Sequence, residues 1–402
     1  MDFTGKTVVL GVTGGIAAYK ACDLVSRLRK KNIQIHVIMT KHACEFVQPL
    51  TLEVLSGARA VTDQFNRDFP WEVEHIALAK AADVFAVVPA TANILGKYAH
   101  GIADDMLSTT LLATRAPVLF APAMNTAMYE NPAVQENIAT LKARGCMFVE
   151  PATGLLACGD TGRGKLADVD VIEQAIYDAL TEKDMAGMHV TVTAGPTREA
   201  LDPVRFLSNH STGKMGYAIA RNAKMRGASV TLITGPVALP PVDGVTMVPV
   251  TSAGDMRAAV MDALPQSDVV IKAAAVGDYR PASYADDKIK KKNDDMSISL
   301  VRNPDILAEI GEKRRDNQVI CGFSMETRDL VENSTKKLKK KNCDVIVANN
   351  LKVAGAGFAG DTNVVTLLYR DGKKEALELM GKGDVASILL DRLLALYRNK
   401  QS

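Results

Sequence analysis

Twice along this chain of 402 residues an apolar, β-branched run enters a glycine turn, gives way to a helical stretch and is followed by a second apolar run. Lys6–Val12 leads into Thr13, Gly14 and Gly15, a helical pattern covers about Ile16 to Lys30, and Ile33–Met39 stops at Thr40. His189–Thr193 leads into Ala194, Gly195 and Pro196, a helix reads from about Lys214 to Arg226, and Ser229–Ile233 stops at Thr234. Strands that are apolar almost without interruption need cover on both faces, which predicts parallel sheets wrapped by helices. Further runs at Val84–Val88 and Val118–Ala121 extend the first unit, and Val269–Ala273, Val319–Phe323 and Val345–Ala348 extend the second. The expected fold class is α/β, with two tandem doubly wound parallel-sheet domains. The join falls near Glu182–Met188, giving domains 1–184 and 185–402.

Composition narrows the function classes. Lys plus Arg number 48 and Asp plus Glu 46, a net charge of +2. No global field therefore favours nucleic acid or a membrane surface. The six cysteines are scattered without a CxxC pair, which fits a reducing, cytoplasmic setting. No apolar run approaches the ~20 residues of a membrane span.

Ligands of open parallel sheets sit beyond the carboxyl ends of the strands, so the residues just after each strand carry the functional reading. The turn at Gly11–Ala18, GVTGGIAA, lacks the G-x-G-x-x-G dinucleotide pattern, and Thr40 stands where a ribose-binding acid is needed. What remains suits a single phosphate at a helix start, as in a mononucleotide such as FMN, or is simply a tight connection. His75, at the start of a short amphipathic helix, is either a general base or an ordinary surface histidine. Asn125 follows a strand and has an amide suited to a carboxylate. Cys158 lies in PATGLLACGDTGRGKLAD, a Gly-rich stretch with no apolar periodicity, which predicts a lid carrying a reactive thiol.

HIALAKAAD, PATAN, PAMNTAM and ACGDTGRG, in that order, resemble the flavin-dependent cysteine decarboxylases, and within them phosphopantothenoylcysteine decarboxylase. The resemblance spans about Lys6 to Asp170 and implies a flavodoxin-like domain. It implies FMN held by Gly14, Gly15, Ile16, Thr40, Thr91, Ala92, Asn93 and Ile94. It further implies His75 as base, Asn125 as carboxylate binder and Cys158 as proton donor on a substrate flap. Lys165 departs from the Arg that many relatives carry after the GxG, keeping the charge but not the bidentate geometry.

In the second half, Ala194–Gly216 is a long polar connection, AGPTREALDPVRFLSNHSTGKMG, ending at a helix start. Connections of that length are functional or disordered, and donors at a helix N-terminus suit a phosphorylated ligand. Two lysine clusters, Lys288–Lys292 and Lys336–Lys341, read as solvated faces, as a nucleic-acid surface, or as groups reaching one triphosphate. No aromatic residues are interleaved with them, so a stacking platform for nucleic acid is absent.

These stretches, with AAAVGDYRP and NPDIL, look like bacterial phosphopantothenate–cysteine ligase over about Met188 to Tyr397. Thr212 stands where Ser is commoner. The resemblance implies a Rossmann-like domain that uses CTP, bound by Ala273, Ala274, Ala275, Asp278 and Lys288. Asn303, Pro304, Asp305, Ile306 and Leu307 would follow, then Phe323, Lys337 and Lys341. Lys288 would assist formation of an acyl-cytidylate from 4'-phosphopantothenate, and Asn209 would serve the displacement of CMP by the amine of L-cysteine. Mg²⁺ would be bound mainly through CTP, with no dedicated ligands in the sequence.

The two families share an intermediate. Fused bacterial enzymes of coenzyme A biosynthesis have this order, and the chain is similar to them along nearly its whole length. That resemblance implies a bifunctional enzyme of small-molecule substrates that forms homo-oligomers, with trimeric units of the first domain and dimers of the second. The rival reading is a non-catalytic flavin or electron-transfer protein with a nucleotide-binding second domain.

Overall fold

The computed structural model describes residues 3–65, 73–155, 159, 161–290, 296–326, 330–350 and 360–401. The chain divides into two compact units, Met1–Thr181 and Glu182–Ser402. Family expectation and observed architecture agree on α/β class in both.

The first unit is built on five parallel strands, β1 (Thr7–Val12), β2 (Gln34–Met39), β3 (Val84–Ala90), β4 (Val118–Pro122) and β5 (Met147–Phe148). Their spatial order is β2-β1-β3-β4-β5, the flavodoxin-like arrangement. β1 and β3 are buried at every position, because helices cover both faces. One core contains Val8, Leu10 and Val12, and a second on the opposite face contains Val9, Phe85 and Val87. The predicted helix after β1 is a 3₁₀ turn, Ile16–Tyr19, running into an α-helix, Lys20–Arg29. The Gly-rich stretch expected to be a lid forms a hairpin whose arms, Ala152–Leu155 and Thr161–Lys165, pair antiparallel. Cys158, which falls between the two arms in sequence, is outside the described residues.

The second unit holds an eight-stranded sheet. Its strands are β6 (His189–Ala194), β7 (Ser229–Thr234), β8 (Thr246–Pro249), β9 (Val269–Lys272), β10 (Val319–Glu326), β11 (Val345–Asn350), β12 (Val365–Tyr369) and β13 (Lys374–Ala376). The order is β8-β7-β6-β9-β10-β11-β12-β13. The first six are parallel, in the doubly wound order 3-2-1-4-5-6. β12 and β13 run antiparallel and finish the edge, a feature the sequence reading does not anticipate.

One buried carboxylate ties this sheet to its flanking elements. Asp344 precedes β11 and accepts the backbone N–H of Ile320 at 2.8 Å. It also pairs with Arg314 at 2.7 Å and with Lys400, on the last helix (Lys382–Gln401), at 2.8 Å. Removing one partner of a buried charge cluster leaves the others uncompensated, at a cost of about 3–5 kcal/mol. Asp344→Ala is therefore expected to destabilise the second unit by about 3 kcal/mol or more in urea denaturation. A loss under about 1 kcal/mol would mean that the cluster is a surface feature in energetic effect.

Candidate functional site

In the first unit the strand order reverses between β1 and β3, and the turns that leave those two strands face a common crevice. Thr13 fixes them together: its hydroxyl donates to the carbonyl of Pro89 at 2.7 Å and accepts the N–H of Thr91 at 3.1 Å. Thr13 is thus a buried brace between the turns. Gly14 is required by close approach, since a Cβ there would lie 2.3 Å from that of His42. Gly15 is the opposite case: a Cβ would meet nothing within 4 Å, and its carbonyl accepts the N–H of Ala18 at 2.9 Å.

Two adjoining cavities flank this turn, both lined by Gly14, Thr91 and Met128. One, of about 490 Å³, adds Gly15, Ile16, Met124, Asn125, Leu155 and Lys165. The other, of about 610 Å³, adds Thr40, Ala92, Asn93 and Ile94. The helix Ala92–His100 starts here, and its N-cap Thr91 makes no side-chain capping bond. Thr40 caps the short helix Lys41–Cys44 by accepting from the N–H of Ala43. All eight residues implied for FMN therefore line one cavity or the other. The uncapped helix start, the open space beside Gly15 and the apolar wall of Met124, Met128 and Leu155 fit a phosphate joined to a flat apolar ring.

Asn125 caps the helix Thr126–Glu130, its Oδ1 accepting the N–H of Ala127 at 2.8 Å. That oxygen is thus engaged within the loop, and the residue lines the cavity of about 490 Å³. The hairpin is seated on this segment by backbone contact: the N–H of Met124 donates to the carbonyl of Gly164 at 3.0 Å. A Cβ on Gly164, which has φ +142°, would lie 2.4 Å from the carbonyl oxygen of Met124, and one on Gly162 would lie 2.5 Å from Thr126 Oγ1. The two glycines of TGRG thus let the hairpin lie flat on the Asn125 loop, and Lys165 reaches the cavity beyond them. His75 opens the helix Glu74–Ala81 and lines neither cavity of its own chain.

In the second unit the switch point lies between β6 and β9. Their extensions stay paired beyond the sheet, with the N–H of Ala275 donating to the carbonyl of Gly195 at 2.9 Å. Asn209 arches over this point, its Nδ2 donating to the carbonyl of Ala275 at 3.0 Å. A cavity of about 350 Å³ opens there, lined by Asn209, Ala273, Ala274, Ala275, Asp278, Phe323 and Lys337 among others. The helix Lys214–Met225 begins at its edge. Gly213 caps that helix at φ +79°, and Gly216 lets it pack on β6, since a Cβ there would come within 2.6 Å of that of Ala194.

The remaining implied residues are organised around the cavity and do not line it. Asn303 donates to the carbonyl of Gly277 at 2.8 Å and so braces the turn that carries Asp278. Asp305 caps the helix Ile306–Lys313 and pairs with Lys341. Ile306 and Leu307 are buried in the core, leaving only their backbone for a ligand. Pro304 has no assigned contact. Lys288 is exposed, and the residue after it is clamped: the N–H of Ile289 donates to Asp202 at 3.1 Å, and Arg205 donates to the carbonyl of Ile289 at 2.9 Å. The Arg205 guanidinium beside it, with backbone N–H groups, holds the Asp202 carboxyl well below the usual carboxylate range. The long connection is therefore ordered, with a short hairpin of Arg198–Ala200 and Phe206–Ser208 around Asp202. Sequence reasoning missed Asp202, whose only signal is the DPVR turn, and the cavity-lining lysines Lys272 and Lys382.

The lysine clusters do not form one stripe. Lys336 pairs with Glu332, Lys337 turns to the cavity and Lys341 goes to Asp305, while Lys291 and Lys292 lie outside the described residues. Among the described residues no helix is long and apolar enough to cross a membrane.

Comparison with known proteins decides the family. The flavoprotein model matches residues 2–181, and the model for the DNA/pantothenate metabolism flavoprotein C-terminal domain matches residues 185–397. The coenzyme A biosynthesis bifunctional protein CoaBC of Bacillus subtilis (strain 168) is 49% identical over 397 residues, covering 98% of each chain. That of Escherichia coli (strain K12) is 41% identical over 404 residues, covering 100% of this chain and 99% of its own. The chain belongs to this bifunctional coenzyme A biosynthesis family. Its flavoprotein unit is a phosphopantothenoylcysteine decarboxylase and its second unit a phosphopantothenate–cysteine ligase. The non-catalytic flavin reading is set aside. A crystal structure of the C-terminal domain of a CoaBC protein covers 54% of this chain and all of its own, at 42% identity and a TM-score of 0.47.

Because the hairpin rests on the Asn125 loop through Gly164, the decarboxylase of this bifunctional enzyme is expected to depend on that glycine. Gly164→Ala should lower decarboxylation about tenfold or more, equivalent to ~1.4 kcal/mol, and leave ligation unchanged when the half-reactions are assayed separately. Equal loss of both, or of neither, would contradict the contact's role.

Proposed function

We propose that each activity is carried out in the crevice at the carboxyl end of its own sheet, by the residues that converge there. The observation that carries the reading is this convergence. Gly14–Ile16, Thr91 and Asn125 line one cavity, and Asn209, Ala273–Ala275, Asp278, Phe323 and Lys337 line another.

In the decarboxylase, FMN is the cofactor, held at Gly14, Gly15, Ile16, Thr40 and the Thr91–Ile94 turn. When bound it supplies a reversible two-electron oxidation of the substrate's thiol-bearing carbon, which gives the electrons left by CO₂ loss somewhere to go. Asn125 donates its NH₂ to the substrate carboxylate and Lys165 adds positive charge at the same wall. His75 accepts the thiol proton, and Cys158 returns a proton to carbon after CO₂ has left. Since His75 lines neither cavity of its own chain, the reading includes a homo-oligomer in which neighbouring copies complete the site. Large apolar side chains beside the cavities, Ile16 at 63% exposed and Phe65 at 81%, are available for such contacts. Trimeric units of the first domain and dimers of the second, in the cytoplasm, complete the proposal.

In the ligase, CTP occupies the cavity at Ala273–Ala275 with its phosphates toward the lysines, and Mg²⁺ is bound through those phosphates. The phosphopantothenate carboxylate attacks the α-phosphorus, pyrophosphate leaves, and the acyl-cytidylate forms. Lys288, positioned by the Asp202–Arg205 clamp, offsets charge as pyrophosphate departs. The cysteine amine then attacks the acyl carbon and releases CMP, with Asn209 beside that centre.

Two variants separate the halves. Lys288→Gln is expected to lower pyrophosphate release by about a hundredfold or more, with decarboxylation of supplied phosphopantothenoylcysteine unchanged. Cys158→Ala is expected to release CO₂ and accumulate the oxidised ene-thiol, followed by mass spectrometry. Normal pyrophosphate release by the first variant, or full-rate formation of reduced product by the second, would remove that residue from the mechanism.

A further inference from the structure

Lys272 ends β9, and its register places it between Thr193 of β6 and Gly322 of β10, at the floor of the nucleotide cavity. Among the described residues its half-buried side chain lines the cavity, and its ammonium makes no hydrogen bond and no ion pair. The other enclosed cations of this unit have partners: Arg226 pairs with Asp184 and Asp391, and Arg314 with Asp344. The charges around Lys272 make matters worse. Lys337 and Lys341 approach from the helix Leu330–Lys340 and its end, while Lys214, which also lines the cavity, is paired with Asp361 at 2.7 Å, and Lys382 donates to the carbonyl of Gly360. Asp278 opposes them, and the thiol of Cys343, pushed up to about 12 by burial, is neutral. Burial first, then Lys337, bring the Lys272 pKa down to about 8.

An enclosed ammonium without a counter-ion is costly in the empty protein and is compensated only when an anion arrives. We propose that Lys272 is a substrate-binding residue of the ligase whose missing counter-ion is a phosphate oxygen of a bound phosphorylated substrate. The inference rests on the reading of this cavity as the ligase site. Two substrates carry the required group, CTP and 4'-phosphopantothenate, and titrating each separately distinguishes them.

The test is calorimetric titration of the full chain and of Lys272→Met with CTP, 4'-phosphopantothenate and cytidine, joined to thermal denaturation without ligand. Losing a charge-assisted contact is expected to weaken one of the two phosphorylated ligands about tenfold to a hundredfold, with cytidine unchanged. The ligand-free variant is expected to melt at a higher temperature, because an uncompensated cation has been removed. A merely structural lysine would lower it. The pH dependence has a fixed sign. Lys272 is charged below about 8, so unmodified chain holds the ligand fully there and loses affinity as pH rises above it, while Lys272→Met is flat over the same range. Equal affinities for both ligands in the two proteins, or a flat profile in unmodified chain, would overturn the inference alone. Binding of neither ligand by unmodified chain would overturn the reading of the cavity and the inference with it.

Discussion

Consecutive strands of a parallel sheet must each be followed by a crossover, so every strand ends on the same edge and every following turn opens there. In both units of this chain the direction of winding reverses beside the first strand, which leaves a gap between two turns that no helix fills. Thr13 braces that gap in the first unit with both its donor and its acceptor, and the paired extensions of Gly195 and Ala275 brace it in the second. Residues far apart in sequence meet because their strands are neighbours. Asn125 and Gly15 line one cavity, and Asn209 bonds to Ala275, through the sheet order and not through closeness in sequence.

The second unit shows how charge is arranged on that frame. Its carboxylates hold structural cations: Asp344 takes Arg314 and Lys400, and Asp202 takes Arg205 and with it the segment before Lys290. Those clusters rigidify the frame, while among the described residues Lys272 and Lys337 line the cavity with no carboxylate partner. A ligase needs this division. Cations neutralised by protein carboxylates have little left to give a leaving pyrophosphate, whereas an ammonium aimed at an empty cavity gains its partner only when substrate arrives.

Much of this was legible in the sequence, for physical reasons that also explain the omissions. Strands such as Val84–Ala90 are buried on both faces and therefore leave an unbroken apolar signature. β12 and β13 are antiparallel at an edge, and β5 is two residues long, so neither gives such a run. The hairpin over Ala152–Lys165 is poor in side chains because Gly162 and Gly164 touch the Asn125 loop with their backbones, and a residue chosen for lacking a side chain has no periodicity to read. Asp202 escaped notice because the amide it holds, that of Ile289, is distant in sequence. Lys272 lies inside the run Val269–Ala273 and has no signal of its own, because its position among other lysines exists only in three dimensions. Asn125, Asn209 and Asp278, which the family motifs single out, line cavities, but no motif carries the packing that aims them.

One chain thus builds phosphopantothenoylcysteine in its second unit and decarboxylates it in its first. The most direct measurement gives the purified, FMN-loaded chain 4'-phosphopantothenate, L-cysteine, Mg²⁺ and CTP, and follows products by mass spectrometry. The account requires 4'-phosphopantetheine together with CMP, with phosphopantothenoylcysteine appearing first and then declining. Absence of CMP, with the phosphopantothenate recovered unchanged, would contradict it.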